Sequence, residues 1–425
     1  MEDAVYQKTT LDSGLRVLTA PMPHTRSVAV SIYVGAGSRY ETDAQAGLSH
    51  FVEHLCFKGT ERRPTPREVS EVVDSVGGVI NAATDRELTL YYCKVGRPHF
   101  ELALDVLADL IRHPLFLQDE VEKERQVIIE ELAMVADSPF QQVDVLLDET
   151  LWPGEPMGRD IAGSDASVRS LSREMAVDYL ANQYVANNAV VSVAGAVSHE
   201  EAVEGVAQVL GDWPGGTPGS WYPSSNGQAA PRAAIKYKAT EQAHLSLAVH
   251  GLPILHPDRY ALSLLSILLG EGMSSRLVLE LRERRSLCYD VHSYVNYFQD
   301  TGAFAFYVGV DPARAQEALR ALLEELARLR DEGVNEEELA RAKELAKGRL
   351  LLRLEDTRAV SDWMGAQEML TGSIRSVDEV IQSIEAVRVD DLRRVALQLL
   401  VSEQLNLAVV GPFRSDRRFV PLLHL

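Results

Sequence analysis

The segment AGLSHFVEHLCFKGT carries His50, Glu53 and His54 in the spacing H-x-x-E-H. On a helix, positions i, i+3 and i+4 share one face. Two imidazoles there can grip one metal ion, and the carboxylate between them in sequence can reach a water bound to it. The order is the reverse of the commoner H-E-x-x-H zinc motif. With 11 His in 425 residues, roughly 0.3 His pairs at i, i+4 arise by chance, and ~0.04 with an acid at the inner position. The bland alternative is two surface histidines beside a glutamate.

A catalytic zinc ion needs a third protein ligand and an open position. The acidic, helix-like run DEVEKERQVIIEELAM offers one. Glu124 and Glu131 are separated by about two turns and share a face, whereas Glu130 lies about 100° from Glu131. Glu131 is the candidate ligand, and Glu124 a candidate partner that orients a ligand. Taken alone, such a helix reads first as a solvated charged face. Cys56, about 200° round the helix from His54, is expected to point away from the metal as a buried thiol. Cys288 reads as packing. His99, His113, His244, His250 and His256 have no partner acid at ligand spacing and read as structural or surface residues.

These groups must be held by a mixed set of elements. SVAVSIYVGAG, ELTLYYCKV and NNAVVSVAG read as strands in the first half; HLSLAVHGL, TGAFAFYVGV and QLNLAVVGP do so in the second. Between them lie helical stretches, one with Leu104, Leu107 and Ile111 on a face, another with Leu319, Leu322, Leu326 and Leu329. Residues 211–231, GDWPGGTPGSWYPSSNGQAAP, read as a loop or linker. The expectation is an α+β chain of two homologous domains, 1–212 and 232–425, joined by a linker at 213–231. Each domain is a mostly antiparallel sheet flanked by helices, and the two arise by internal duplication.

Composition narrows the class. Forty-two basic and 62 acidic residues give a net charge of −20, which disfavours nucleic acid. Hydrophobic residues at 46% exclude intrinsic disorder. No apolar stretch approaches the ~20 residues of a membrane span. MEDAVYQKTTLDSG has no apolar h-region, so no secretory signal is expected. Three cysteines fit a reducing compartment, giving a cytoplasmic expectation.

HFVEHLCFKGT, GGVINAATDRELTLYY, EKERQVIIEEL and SSRLVLELRERRSLCYDV together resemble the pitrilysin family of inverted zinc peptidases, which includes insulin-degrading enzyme and mitochondrial processing peptidase. The resemblance covers nearly the whole chain and is to the short members that pair two by two. It implies Zn²⁺ held by His50, His54 and Glu131, with Glu53 as general base for a metal-activated water and Glu124 behind the ligands. Asn81 and Ala82 match the strand edge along which the family lays its peptide substrate. Phe51 is assigned either to a side-chain pocket or to the core. Arg282 and Tyr289 match a pair that holds the substrate carbonyl and oxyanion from the second half, which lacks the metal motif. The resemblance further implies a chamber admitting unfolded peptides. Because one chain holds both residue sets, it implies a homodimer, with a hetero-partner as the alternative.

Two other readings compete. The family includes core subunits of a respiratory complex that lost their metal ligands, so the chain could be a non-catalytic assembly subunit. It could also be a peptide-binding protein with a structural zinc, although such a site usually shows four protein ligands.

Overall fold

The computed structural model describes residues 6–425. The first five, where the range 1–212 and the no-signal expectation begin, lie outside the described residues. Strands β1 (Gln7–Thr10), β2 (Arg16–Pro21), β3 (Ser27–Val34), β4 (Val79–Thr84), β5 (Thr89–Gly96) and β6 (Ala189–Gly195) form one sheet, ordered β1-β2-β6-β3-β5-β4. Strands β7 (Arg232–Tyr237), β8 (Ala243–His250), β9 (Cys288–Tyr297), β10 (Gly302–Val310) and β11 (Asn406–Gly411) form another, ordered β7-β11-β8-β10-β9. Apart from β1, the two orders are the same permutation. Both place the parallel pair in the same position, β2–β6 in one and β7–β11 in the other, with every other pairing antiparallel. The chain is a duplicated α+β unit.

The central strands are buried along almost their whole length, so each sheet must be covered on both faces. Side chains alternate between faces. Val28, Val30, Ile32 and Val34 of β3 pack with Leu104, Leu107 and Ile111 of the Phe100–Arg112 helix and with Val206 and Leu210 of the His199–Leu210 helix. Tyr33 points to the other face, where it joins Leu18, Val190 and Ala194 against Val360 and Met364 of the Thr357–Thr371 helix. That helix comes from the second half of the sequence. Conversely, Val143, Leu147 and Leu151 of the Pro139–Leu151 helix cover Ala305, Tyr307, Ala408 and Val410 of the second sheet.

The compact units therefore differ from the ranges 1–212 and 232–425. Among the described residues, the first comprises those up to 132, with 160–222 and 351–376; the second comprises 133–159, 223–350 and 377–425. Each sequence half lends the other's sheet one covering helix, which no composition shift marks.

The expected linker has no regular structure and changes unit after Tyr222. It is not free of the first unit. Trp213 is buried and donates from Nε1 to the Tyr184 carbonyl at 3.0 Å. The fully buried Arg39, ion-paired with Glu87, donates to the Tyr222 carbonyl at 2.9 Å and lies 4.3 Å from the Trp221 ring centroid.

Candidate metal centre

The H-x-x-E-H motif lies on the Leu48–Cys56 helix. Gly47 opens it at φ +91°, and a Cβ there would meet the Ala162 carbonyl oxygen at 2.5 Å, so only glycine fits. The buried Glu41 carboxylate accepts from Gly47 N at 2.8 Å and from Ser49 N and Oγ at 2.6 Å each. It satisfies helix-terminal donors and puts negative charge at the positive end of the dipole. Leu48, Phe51, Val52 and Leu55 enter the core, which leaves His50, Glu53 and His54 on the remaining face.

The second contributor is the Gln118–Asp137 helix, fixed in this region by Val121 and Ile128 in the core. His50 Nε2 and His54 Nε2 face each other at 3.1 Å. Glu131 Oε2 lies 3.7 Å from His54 Nε2 and 4.0 Å from His50 Nε2. Donors around a tetrahedral zinc with ~2.0–2.1 Å bonds stand about 3.3–3.4 Å apart. Two imidazole nitrogens and one carboxylate oxygen at these separations fit such an ion with only small side-chain adjustment. Among the described residues, this is the group of three His, Cys, Asp or Glu side chains placed to hold a metal. Glu130 is exposed, on a different side of the helix from Glu131.

Glu124 Oε1 is 2.8 Å from His54 Nδ1, and Glu124 Oε2 is 2.7 Å from Lys58 Nζ. A proton on Nδ1 directed at Glu124 leaves the Nε2 lone pair free for a metal. His50 Nδ1, in contrast, is buried without a hydrogen-bond partner, so packing must set that ring's orientation.

The electrostatics follow from burial and these contacts. Burial, helped by the charge of His54, lowers His50 to about 4, keeping it neutral as a ligand must be. Burial also opposes protonation of His54, but the Glu124 hydrogen bond and the charges of Glu131 and Glu53 outweigh it and raise its pKa. For Glu124, burial is outweighed by the hydrogen bonds from His54 and Lys58, which hold it below the usual carboxylate range.

Glu53 is 8% exposed, and its Oε2 accepts a 2.5 Å hydrogen bond from Thr84 Oγ1. Burial raises its pKa, against the Thr84 hydrogen bond and the His54 charge. Thr84 ends β4, the edge strand that carries Asn81 and Ala82. The Ala82 N–H is accepted at 2.8 Å by its neighbour's own Asn81 Oδ1. Phe51 is wholly buried in the core. Cys56 is also buried, 3.6 Å from the Tyr91 hydroxyl, and burial pushes its thiol up to about 12.

Arg282 and Tyr289 belong to the second unit. The Arg282 guanidinium lies 4.9 Å from the Tyr289 ring centroid, and Tyr289 is 79% exposed. Arg282 sits on the Val278–Arg284 π-helical turn, where the Arg285 N–H reaches back to the Glu280 carbonyl at 3.1 Å. Such turns are rare and are frequent at functional sites.

Thr84, Glu41 and Lys58 are site residues that the sequence reading missed. Their partners lie at separations that no spacing rule connects, although Thr84 stands within the quoted GGVINAATDRELTLYY segment.

Two family models match the chain: insulinase (peptidase family M16) over residues 16–165, and the peptidase M16 inactive domain over 170–345. An uncharacterized zinc protease of Bacillus subtilis, YmxG, is 35% identical over 96% of this chain and 98% of its own. A second, SCO5738 of Streptomyces coelicolor, is 36% identical over 97% of this chain and 90% of its own. Among solved structures, a protease from Helicobacter pylori superposes with a TM-score of 0.90 at 25% identity, over 96% of this chain and 99% of that one. A chain of Complex III2 from Candida albicans shares the fold, with a TM-score of 0.84 at 20% identity over 99% and 100% of the two chains.

Proposed function

The chain belongs to peptidase family M16, and we propose that it is a zinc endopeptidase that hydrolyses unfolded peptides with Glu53 as general base. The observation that carries this reading is the convergence of His50, His54 and Glu131, with the Glu53 carboxylate one residue before the second imidazole.

In this reading His50 Nε2, His54 Nε2 and Glu131 Oε2 hold the zinc. A bound Zn²⁺ supplies Lewis acidity toward the scissile carbonyl and the attacking water. Glu53 takes a proton from that water at its carboxylate and returns it to the leaving amine. Glu124 fixes the proton of His54 on Nδ1. The free edge of β4 binds the peptide as an added strand, Asn81 Oδ1 releasing the Ala82 N–H to it. Arg282 and Tyr289 donate to the substrate carbonyl, as the resemblance implies; the exposed Tyr289 and the half-buried Arg282 fit that role.

One chain with both residue sets is consistent with a homodimer. Its three cysteines are free, which fits a reducing compartment such as the cytoplasm. No helix among the described residues is long and apolar enough to cross a membrane. The assembly-subunit reading draws only on fold similarity to the Complex III2 chain, and the metal-binding donor set favours the peptidase.

Tyr289→Phe tests the second unit's part. The expected result is loss of turnover with metal retained, since one oxyanion donor is worth roughly 10²–10³ in kcat. Unchanged turnover would remove Tyr289 from the mechanism.

A further inference from the structure

We propose that Thr84 is a positioning residue that fixes the Glu53 carboxylate from the strand on which substrate binds. The inference rests on the peptidase reading above. The hydroxyl of Thr84 has one proton, and Glu53 Oε2 accepts it at 2.5 Å. The Thr84 backbone N–H also favours the charged carboxylate. A hydrogen bond to a charged, largely buried carboxylate is stronger than a neutral one, so it holds the side chain in one orientation.

Thr84 is itself immobilised. It pairs in register with Thr89 of β5. The fully buried Thr89 donates from Oγ1 to the Ala36 carbonyl at 2.9 Å. Directly beyond, Asp85 N donates to the Leu88 carbonyl at 2.9 Å and closes the hairpin. The branched Cβ of Thr84 restricts χ1. The hydroxyl is thus referenced to the sheet. Asn81 and Ala82 lie on the same short strand. A peptide added to this edge and the base that serves its cleavage are therefore registered to one rigid element. Among the described residues the hydrogen bonds of the two imidazoles run to Glu124 and to each other and none to this strand, so Thr84 joins the substrate frame to the metal frame.

The test uses the full chain loaded with zinc and a quenched, unstructured peptide. Thr84→Val keeps the shape and removes the donor; Thr84→Ser keeps the donor. The expected result for Thr84→Val is a kcat lower by roughly 10- to 100-fold, the worth of a hydrogen bond to a charged group. KM should stay within about twofold, because ground-state binding is untouched. Zinc stoichiometry and melting temperature should be retained, and Thr84→Ser should recover most of the rate. An unchanged kcat in Thr84→Val, or a rise in KM alone, would overturn the assignment. Crystal structures of the zinc-loaded wild type and Thr84→Val separate this inference from the function. A displaced Glu53 carboxylate in the variant supports it, and an unmoved one refutes it. A wild type that cleaves no peptide counts against the peptidase reading alone.

Discussion

At the scale of residues, three glutamates of the Gln118–Asp137 helix do different work because their surroundings differ. Glu131 is partly open and offers an oxygen to both imidazoles. Glu124 is buried and spends its oxygens on His54 and Lys58. Glu130 faces away. Metal titration should therefore rank the variants. Glu131→Gln removes a ligand and should lower zinc stoichiometry. Glu124→Gln should weaken affinity by ~10–100-fold, the usual cost of losing a partner behind a ligand. Glu130→Gln should bind as wild type. Reversed results for Glu130 and Glu131 would put the wrong face of the helix at the metal. The grouping of these side chains was legible in the sequence because helical geometry converts spacing into a face, and His50, Glu53, His54, Glu124 and Glu131 all lie on two helices. Thr84 was not legible, because its contact with Glu53 depends on how a strand end meets a helix.

At the scale of elements, the metal site depends on how each helix is seated. The Leu48–Cys56 helix is short, and Glu41 satisfies its first donors. Glu41→Ala leaves buried N–H groups unpaired and should cost about 1–3 kcal/mol in urea unfolding, with weaker zinc binding as the helix end loosens. A loss of stability with zinc affinity intact would show that the cap does not position the ligands. The Thr357–Thr371 helix meets its sheet closely at Gly365, where a Cβ would stand 2.2 Å from Tyr33 Cε2. Nearby, the Tyr33 hydroxyl donates to Asp362 at 2.8 Å. Gly365→Ala should destabilise by about 1–3 kcal/mol through overpacking. A neutral result would mean that the ring moves aside freely. Strands with clean alternation or continuous burial were legible. β1, β2, β7 and β9 were not, β4 entered only through the resemblance, and the pairing of all strands was hidden, because pairing is decided by contacts far apart in sequence.

At the scale of the molecule, duplication was visible in the recurring order of elements, and the two sheets repeat it strand for strand apart from β1. The exchange of covering helices was not visible, since a helix's apolar face does not declare which sheet it covers. This gives a prediction about fragments. Residues 6–222 expressed alone leave Leu18, Tyr33, Val190 and Ala194 without Val360 and Met364, and should bind a hydrophobic dye or aggregate. Adding residues 351–376 in trans should reduce this. A well-folded fragment 6–222 would mean that the exchanged helix is dispensable. Sedimentation of the intact chain should give twice the monomer mass of 46.9 kDa if it is a homodimer; a monomer active alone would remove that expectation. The account as a whole stands on Glu53. The most direct measurement compares purified wild type with Glu53→Gln, reading both zinc content and cleavage of an unstructured quenched peptide. The expected result is equal zinc in both and cleavage by wild type only. Cleavage that persists in Glu53→Gln would contradict the assignment of the base, and a wild type that binds no zinc would contradict the metal centre itself.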